Sequence, residues 1–148
     1  MDIINPFKKL LSNVKLSAMT CGGKNALSSV DKEQHVRKVD LTHKDLEHIW
    51  YNKQKEKCHW FGIRLNPEWL LEKHHPFALS VDRLGIGNDY NKENIVISCR
   101  LANIGRGICD EEKFKEMIDY LKSEWGWEEF VDNRPKMAKE SWLKQSKL

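Results

Sequence analysis

The sequence predicts a small α+β domain: a β-hairpin with a helix laid across it, and further helices at its flanks. Three observations predict it. From residue 78 onward the chain reads strand, loop, strand, helix, and its central stretch is SVDRLGIGNDYNKENIVISCRLANIGRG, residues 80–107. Apolar residues recur at helical spacing on either side of that stretch, at Phe7, Leu10, Leu11, Val14 and Ala18, and again at Phe114, Met117, Ile118 and Leu121. The length, 148 residues, is that of one domain with room for a tail.

In chain order, the first apolar stripe predicts a helix over 6–19, broken by Cys21-Gly22-Gly23, and a polar loop or extended arm over 20–40. Thr42 suits the N-cap of a second helix, with Asp45 in its first turn and Leu46, Ile49 and Trp50 on its inner face. Residues 58–65, CHWFGIRL, read as a turn into a short strand, and Pro67 suits a first helical position over 67–73. Residues 78–82 read as a strand. Gly85, Gly87, Asn88, Asp89 and Asn91 give loop chemistry over 84–93, and Ile95-Val96-Ile97 a second strand. A helix starts between Cys99 and Ile104 and stops at Gly105 and Gly107. Asp110 caps the last helix, which Gly126 ends. The expected division is a basic N-terminal helix and arm over 1–41, the hairpin-bearing domain over 42–126, and a polar, lysine-rich tail over 127–148.

Hydrophobic residues at 40% allow a modest core, and charged residues at 32% require a polar surface. A net charge of +3 is mildly basic, so contact with phosphate needs the cations gathered on one face. No apolar run reaches membrane-spanning length, and the N-terminus lacks a secretory pattern, so an intracellular protein without a membrane partner is expected. Cys21, Cys58, Cys99 and Cys109 do not look like a disulfide framework for that compartment, and no pair is spaced Cys-x-x-Cys.

The hairpin and helix carry a candidate site. Asp82 closes the first strand, and Asn103 lies on the helix. A carboxylate and an amide oxygen suit a hard divalent cation such as Mg²⁺, which keeps waters and so leaves room for a phosphate oxygen. On spacing alone, a turn cap and a surface amide fit these two residues as well. Arg100 and Arg106 stand three residues either side of Asn103, so one helical face would present amide and guanidinium groups to a backbone, with Lys92 in the loop as a weaker contact.

CHWFGIRL, SVDRL and NDYNKENIVISCRLAN, with Gln54 upstream, resemble the HNH endonucleases, and especially a branch common in phages and large viruses. The resemblance covers about residues 42–121. It implies a ββα-metal, treble-clef-like core and cleavage of DNA with one divalent metal, Mg²⁺ or Mn²⁺, one strand per active site. Asp82 matches the first-strand metal ligand, Asn103 the helix ligand, and Asn94 the asparagine that braces the loop and orients the base. Arg83 stands where the family has its water-activating histidine. A guanidinium has no acceptor, so Arg83 suits phosphate or transition-state charge instead. His74 and His75, then His59, are the nearest bases. A metal-bound hydroxide without a protein base, or lost activity, stays open too.

Many members of that family hold a structural zinc on two Cys-x-x-Cys knuckles. Here Phe61 and Ala102 replace the second thiol of each, leaving two ligands of four, so no structural zinc is expected. Cys58 and Cys99 should instead lie together as small buried groups, with Trp60 and Phe61 filling the core. The leading expectation is a metal-dependent DNA endonuclease. Its rivals are a catalytically degenerate module that grips nucleic acid or protein, and an enzyme acting on RNA.

Overall fold

The computed structural model describes residues 4–20, 37–85, 89–107 and 109–125. Its elements run α1 (Pro6–Thr20), β1 (Val39–Asp40), α2 (His43–His48) continued by a π-helical turn (Ile49–Lys53), a 3₁₀ turn (Pro67–Leu71), β2 (Leu79–Arg83), β3 (Tyr90–Asn91), β4 (Ile95–Cys99), α3 (Arg100–Arg106) and α4 (Glu111–Trp125). This is a mixed α+β protein. No helix among the described residues is long and apolar enough to cross a membrane.

The hairpin is β2 and β4, antiparallel, with Asp82 opposite Val96 and Leu79 opposite Cys99. Every residue of β4 is buried, which fits its continuous apolar run. Gln54 completes the outer side of that strand. Its amide oxygen accepts from Ile97 N at 2.7 Å, and its Nε2 donates to Ile97 O at 2.6 Å. A side chain thus does what a third strand would do. The loop between β2 and β4 is held by Asn94, whose Oδ1 accepts from Asn91 N at 3.1 Å and whose Nδ2 donates to Asp89 O. That is the bracing role expected of it.

Thr42 caps α2 with a reciprocal capping box to Asp45. Phe7, Leu10 and Val14 of α1 join Leu46 and Trp50 of the α2 segment, and Ile97 and Cys99 of β4, in one core. Among the described residues, α1 therefore shares this core with the hairpin. Phe114 and Ile118 bring α4 onto the same core.

Several local expectations shift. The 58–65 strand shrinks to a single bridge, Lys57 to Arg64. The two-residue parallel pair β1–β3 was not foreseen, because two residues carry no periodicity. Gly105 sits inside α3, and Gly107, at φ 51°, ends it. Met117 is 51% exposed rather than buried, so the inner stripe of α4 is narrower than its sequence suggests. Most of the 20–40 arm (residues 21–36), Gly126 and the 127–148 tail lie outside the described residues.

Candidate functional site

Helix α3 crosses β2, and two periodicities decide what meets there. Ser80 and Asp82 share one face of the strand, and Asn103 and Arg106 share one face of the helix. Asn103 Nδ2 donates to Ser80 Oγ at 2.8 Å and to Val81 O at 3.2 Å. One helical turn further on, Arg106 meets Asp82. Its Nε donates to Oδ2 and its Nη2 to Oδ1, each at 2.7 Å, a bidentate pair. Nη2 also donates to Arg83 O and Nη1 to Cys109 O, both at 2.9 Å.

This cluster is sealed. Asp82 is 4% exposed and Arg106 8%. The Trp60 indole N–H donates to Asp82 Oδ2 at 2.8 Å, and its ring lies under the guanidinium at 5.4 Å. The hydrogen bond to Asp82 raises the already high pKa of Arg106, against the opposing effect of burial. Arg106 is therefore not displayed beside Arg100 as a phosphate contact. It is the counter-charge of a buried carboxylate.

On the other side of α3 lies an open cleft of about 990 Å³. Its walls include Asn13 and Ser17 of α1, Ser80 and Arg83 of β2, and Arg100 and Asn103 of α3, with Arg37, His74 and His75 at its edges. Three guanidinium groups and two imidazoles face one carboxylate, Glu72. Arg83 packs over the Tyr90 ring at 5.1 Å. Arg100 is exposed, with Nη1 3.4 Å from His74 Nδ1. Lys92 is exposed on the turn between β3 and β4. Asp82 is not among the residues that line the cleft.

The expected constellation is therefore divided. Asp82 and Asn103 belong to one strand–helix contact, offset by a turn. Asn103 opens to the cleft, whereas both oxygens of Asp82 are engaged by Arg106 and Trp60. As arranged, this donor set does not fit a divalent cation, because its only carboxylate is already neutralised.

The histidines are also committed. His75 Nδ1 accepts from Phe77 N at 3.1 Å, so its neutral ring carries the proton on Nε2, and the ring stacks on Trp69 at 4.7 Å. His74, with a positive φ of 59°, turns Nδ1 to the Arg100 guanidinium, which can only donate. His59 is exposed beside Trp60, edge-on at 4.6 Å, and desolvation lowers its pKa against the pull of Asp82.

Cys58 and Cys99 do lie together. Cys99 N donates to Cys58 Sγ at 3.3 Å, and Ala102 N to Cys99 Sγ at 3.4 Å. Trp60, Phe61 and Ala102 are buried around them, as expected from the replaced knuckle positions.

One participant escapes the sequence: Trp60 reads as a core residue alone, although a buried indole N–H needs an acceptor. Arg37 belongs to the basic N-terminal segment, whose cations read equally as a DNA-backbone contact or a solvated face. Comparison with family models, curated proteins and solved structures finds no match for this chain.

Proposed function

We propose that this protein binds the phosphate backbone of DNA in the cleft between α1, β2 and α3, as a nucleic-acid-binding module on an HNH-like scaffold. The observation that carries the reading is the gathering of Arg37, Arg83 and Arg100 around one open cleft, in a chain of only modest net charge. Guanidinium groups give phosphate oxygens charge-assisted, directional hydrogen bonds. These contacts position a backbone without reading its sequence.

A second reading, a metal-dependent DNA endonuclease holding Mg²⁺ or Mn²⁺ on Asp82 and Asn103, is favoured by one observation. The two residues meet the same β2–α3 contact, where Arg106 and Trp60 occupy the carboxylate. In that reading Asp82 and Asn103 would hold the cation, which would supply charge stabilisation at a phosphodiester, and both Arg106 and Trp60 would have to release Asp82.

One experiment separates the two. Labelled duplex DNA is titrated by fluorescence anisotropy across a salt series, and supercoiled plasmid is incubated with Mg²⁺ or Mn²⁺. Binding that weakens in Arg83→Ala and Arg100→Ala, without nicking under either metal, supports the module. Nicking lost in both Asp82→Ala and Asn103→Ala supports the endonuclease. Absence of both binding and nicking overturns both, and tighter binding to an RNA hairpin than to duplex DNA moves the ligand to RNA.

A further inference from the structure

Cys58 and Cys99 lie 41 residues apart in sequence and in direct contact in the fold. Cys58 opens a tight turn: its own N–H donates to Ile63 O, and Gly62 N donates back to its carbonyl, both at 2.8 Å. Cys99 is the N-cap of α3, accepting from Ala102 N through its sulfur. The Cys99 N–H donates to the Cys58 sulfur at 3.3 Å, and the two residues are 1% and 0% exposed. Nothing in the proposed DNA contact uses them.

We propose that Cys58 and Cys99 are a dithiol oxidation site, at which hydrogen peroxide closes an intramolecular disulfide that ties the turn after Cys58 to the start of α3. The contacts assign the roles. Cys58 is the nucleophile, because the Cys99 backbone N–H points at its sulfur and supports a thiolate there. Burial opposes ionisation of Cys58, and hydrogen bonding to its sulfur outweighs it, bringing its pKa down to about 7. The hydrogen bond given to Cys58, and then burial, push that of Cys99 up. The Cys58 thiolate attacks one peroxide oxygen. The O–O bond breaks, sulfur is oxidised to a sulfenic acid, and hydroxide leaves to be protonated as water. The Cys99 sulfur then attacks the sulfenic sulfur, its proton leaves with the hydroxyl as a second water, and the S–S bond forms. Two thiols and one peroxide give one disulfide and two waters. Burial favours a small oxidant such as peroxide over a bulky disulfide, whose exchange requires in-line access to the sulfur.

The test uses the full chain, reduced and natively folded. It is treated with dilute peroxide, denatured in an alkylating reagent, digested and mapped by mass spectrometry. The expected product is the Cys58 peptide joined to the Cys99 peptide, short of two hydrogens and restored by dithiothreitol. Cys109→Ser should leave the cross-link intact, and Cys58→Ala should abolish it. The wild-type map needs no variant to fold. The oxidised protein should melt several degrees higher, since the link closes a long loop of the unfolded chain. Recovery of both cysteines alkylated while Cys109 is oxidised overturns the proposal. So does a sulfinic acid at Cys58 without a cross-link, or a disulfide from either residue to Cys21 or Cys109. These outcomes are independent of DNA binding.

Discussion

The two sides of α3 put the same chemical group to opposite uses. On one side Arg106 is buried, spends its donors on Asp82 and two backbone carbonyls, and lies over Trp60. On the other, Arg100 stands exposed at the rim of a cleft shared with Arg83 and Asn103. Each is three residues from Asn103. The difference lies in what surrounds the guanidinium. Where water is excluded, a cation persists only beside an anion, and the pair becomes part of the core. Where water remains, the donors stay open to exchange for a ligand. Charge on a helix face therefore says little about recognition until burial is known.

The largest effect should come from breaking the sealed side. Asp82→Ala or Arg106→Ala leaves an uncompensated charge in the interior, and urea unfolding should show a loss of about 3–5 kcal/mol for either. Replacing both together, as Asp82→Leu with Arg106→Met, should cost less than either single change. Recovery stops short of complete because the Trp60 N–H then loses its acceptor, at about 1–3 kcal/mol. If the single changes prove additive, the two groups are not coupled and the contrast between the sides of α3 fails.

The open side should respond the other way. Arg100→Ala is expected to stay within about 0.5 kcal/mol of wild type in stability. Arg83→Ala, losing its packing on Tyr90, should cost about 0.5–1 kcal/mol. Both should weaken duplex binding, and each should flatten the dependence of log affinity on log salt by about 1 if it contacts one phosphate. Anisotropy titrations at several salt concentrations measure this. A variant that weakens binding with the slope unchanged removes its residue from the phosphate contacts.

Much of this scaffold was legible in the sequence, since hydrophobic periodicity and capping chemistry are local. Thr42 with Asp45, Pro67, Asp110 and the β2–β4 hairpin follow from neighbours a few residues apart. The placing of Cys58 beside Cys99 followed from the family resemblance and not from spacing alone. What local pattern could not reveal is which partner a charged side chain selects across the fold. Asp82 took Arg106 rather than presenting itself to the cleft, and that choice depends on Trp60, from a distant turn, closing over the pair. An aspartate at an apolar strand position does carry one signal, the need for a counter-charge within reach. A cation one helical turn beyond Asn103 was the available candidate. The β1–β3 pair and the reach of Arg37 into the cleft depend wholly on tertiary packing.

The smallest effect offers a yardstick for the first, because the protein holds a second aspartate whose carboxylate is tied by hydrogen bonds, this time at the surface. Asp45 Oδ2 accepts from Thr42 N at 2.7 Å and from Thr42 Oγ1 at 2.8 Å. The Thr42 backbone N–H first, and then its hydroxyl, hold the Asp45 pKa below the usual carboxylate value against a small opposing effect of burial. A folded-state pKa below the unfolded one means that the ionised cap stabilises the protein above the unfolded value. That contribution is lost as pH falls through the folded value. Asp45→Asn should therefore cost about 0.5–1 kcal/mol near neutral pH, where a capping carboxylate is worth that much, and the gap from wild type should close in acid. Urea unfolding of both proteins at stepped pH gives the curve. Arg106 sets the contrast: its pKa is raised, so its charge persists throughout that range and is lost only in strong alkali. A wild-type-to-Asp45→Asn gap that does not change with pH would mean that the cap acts through shape rather than charge. The surface pair would then no longer measure, on a smaller scale, what neutralising a carboxylate is worth to this fold.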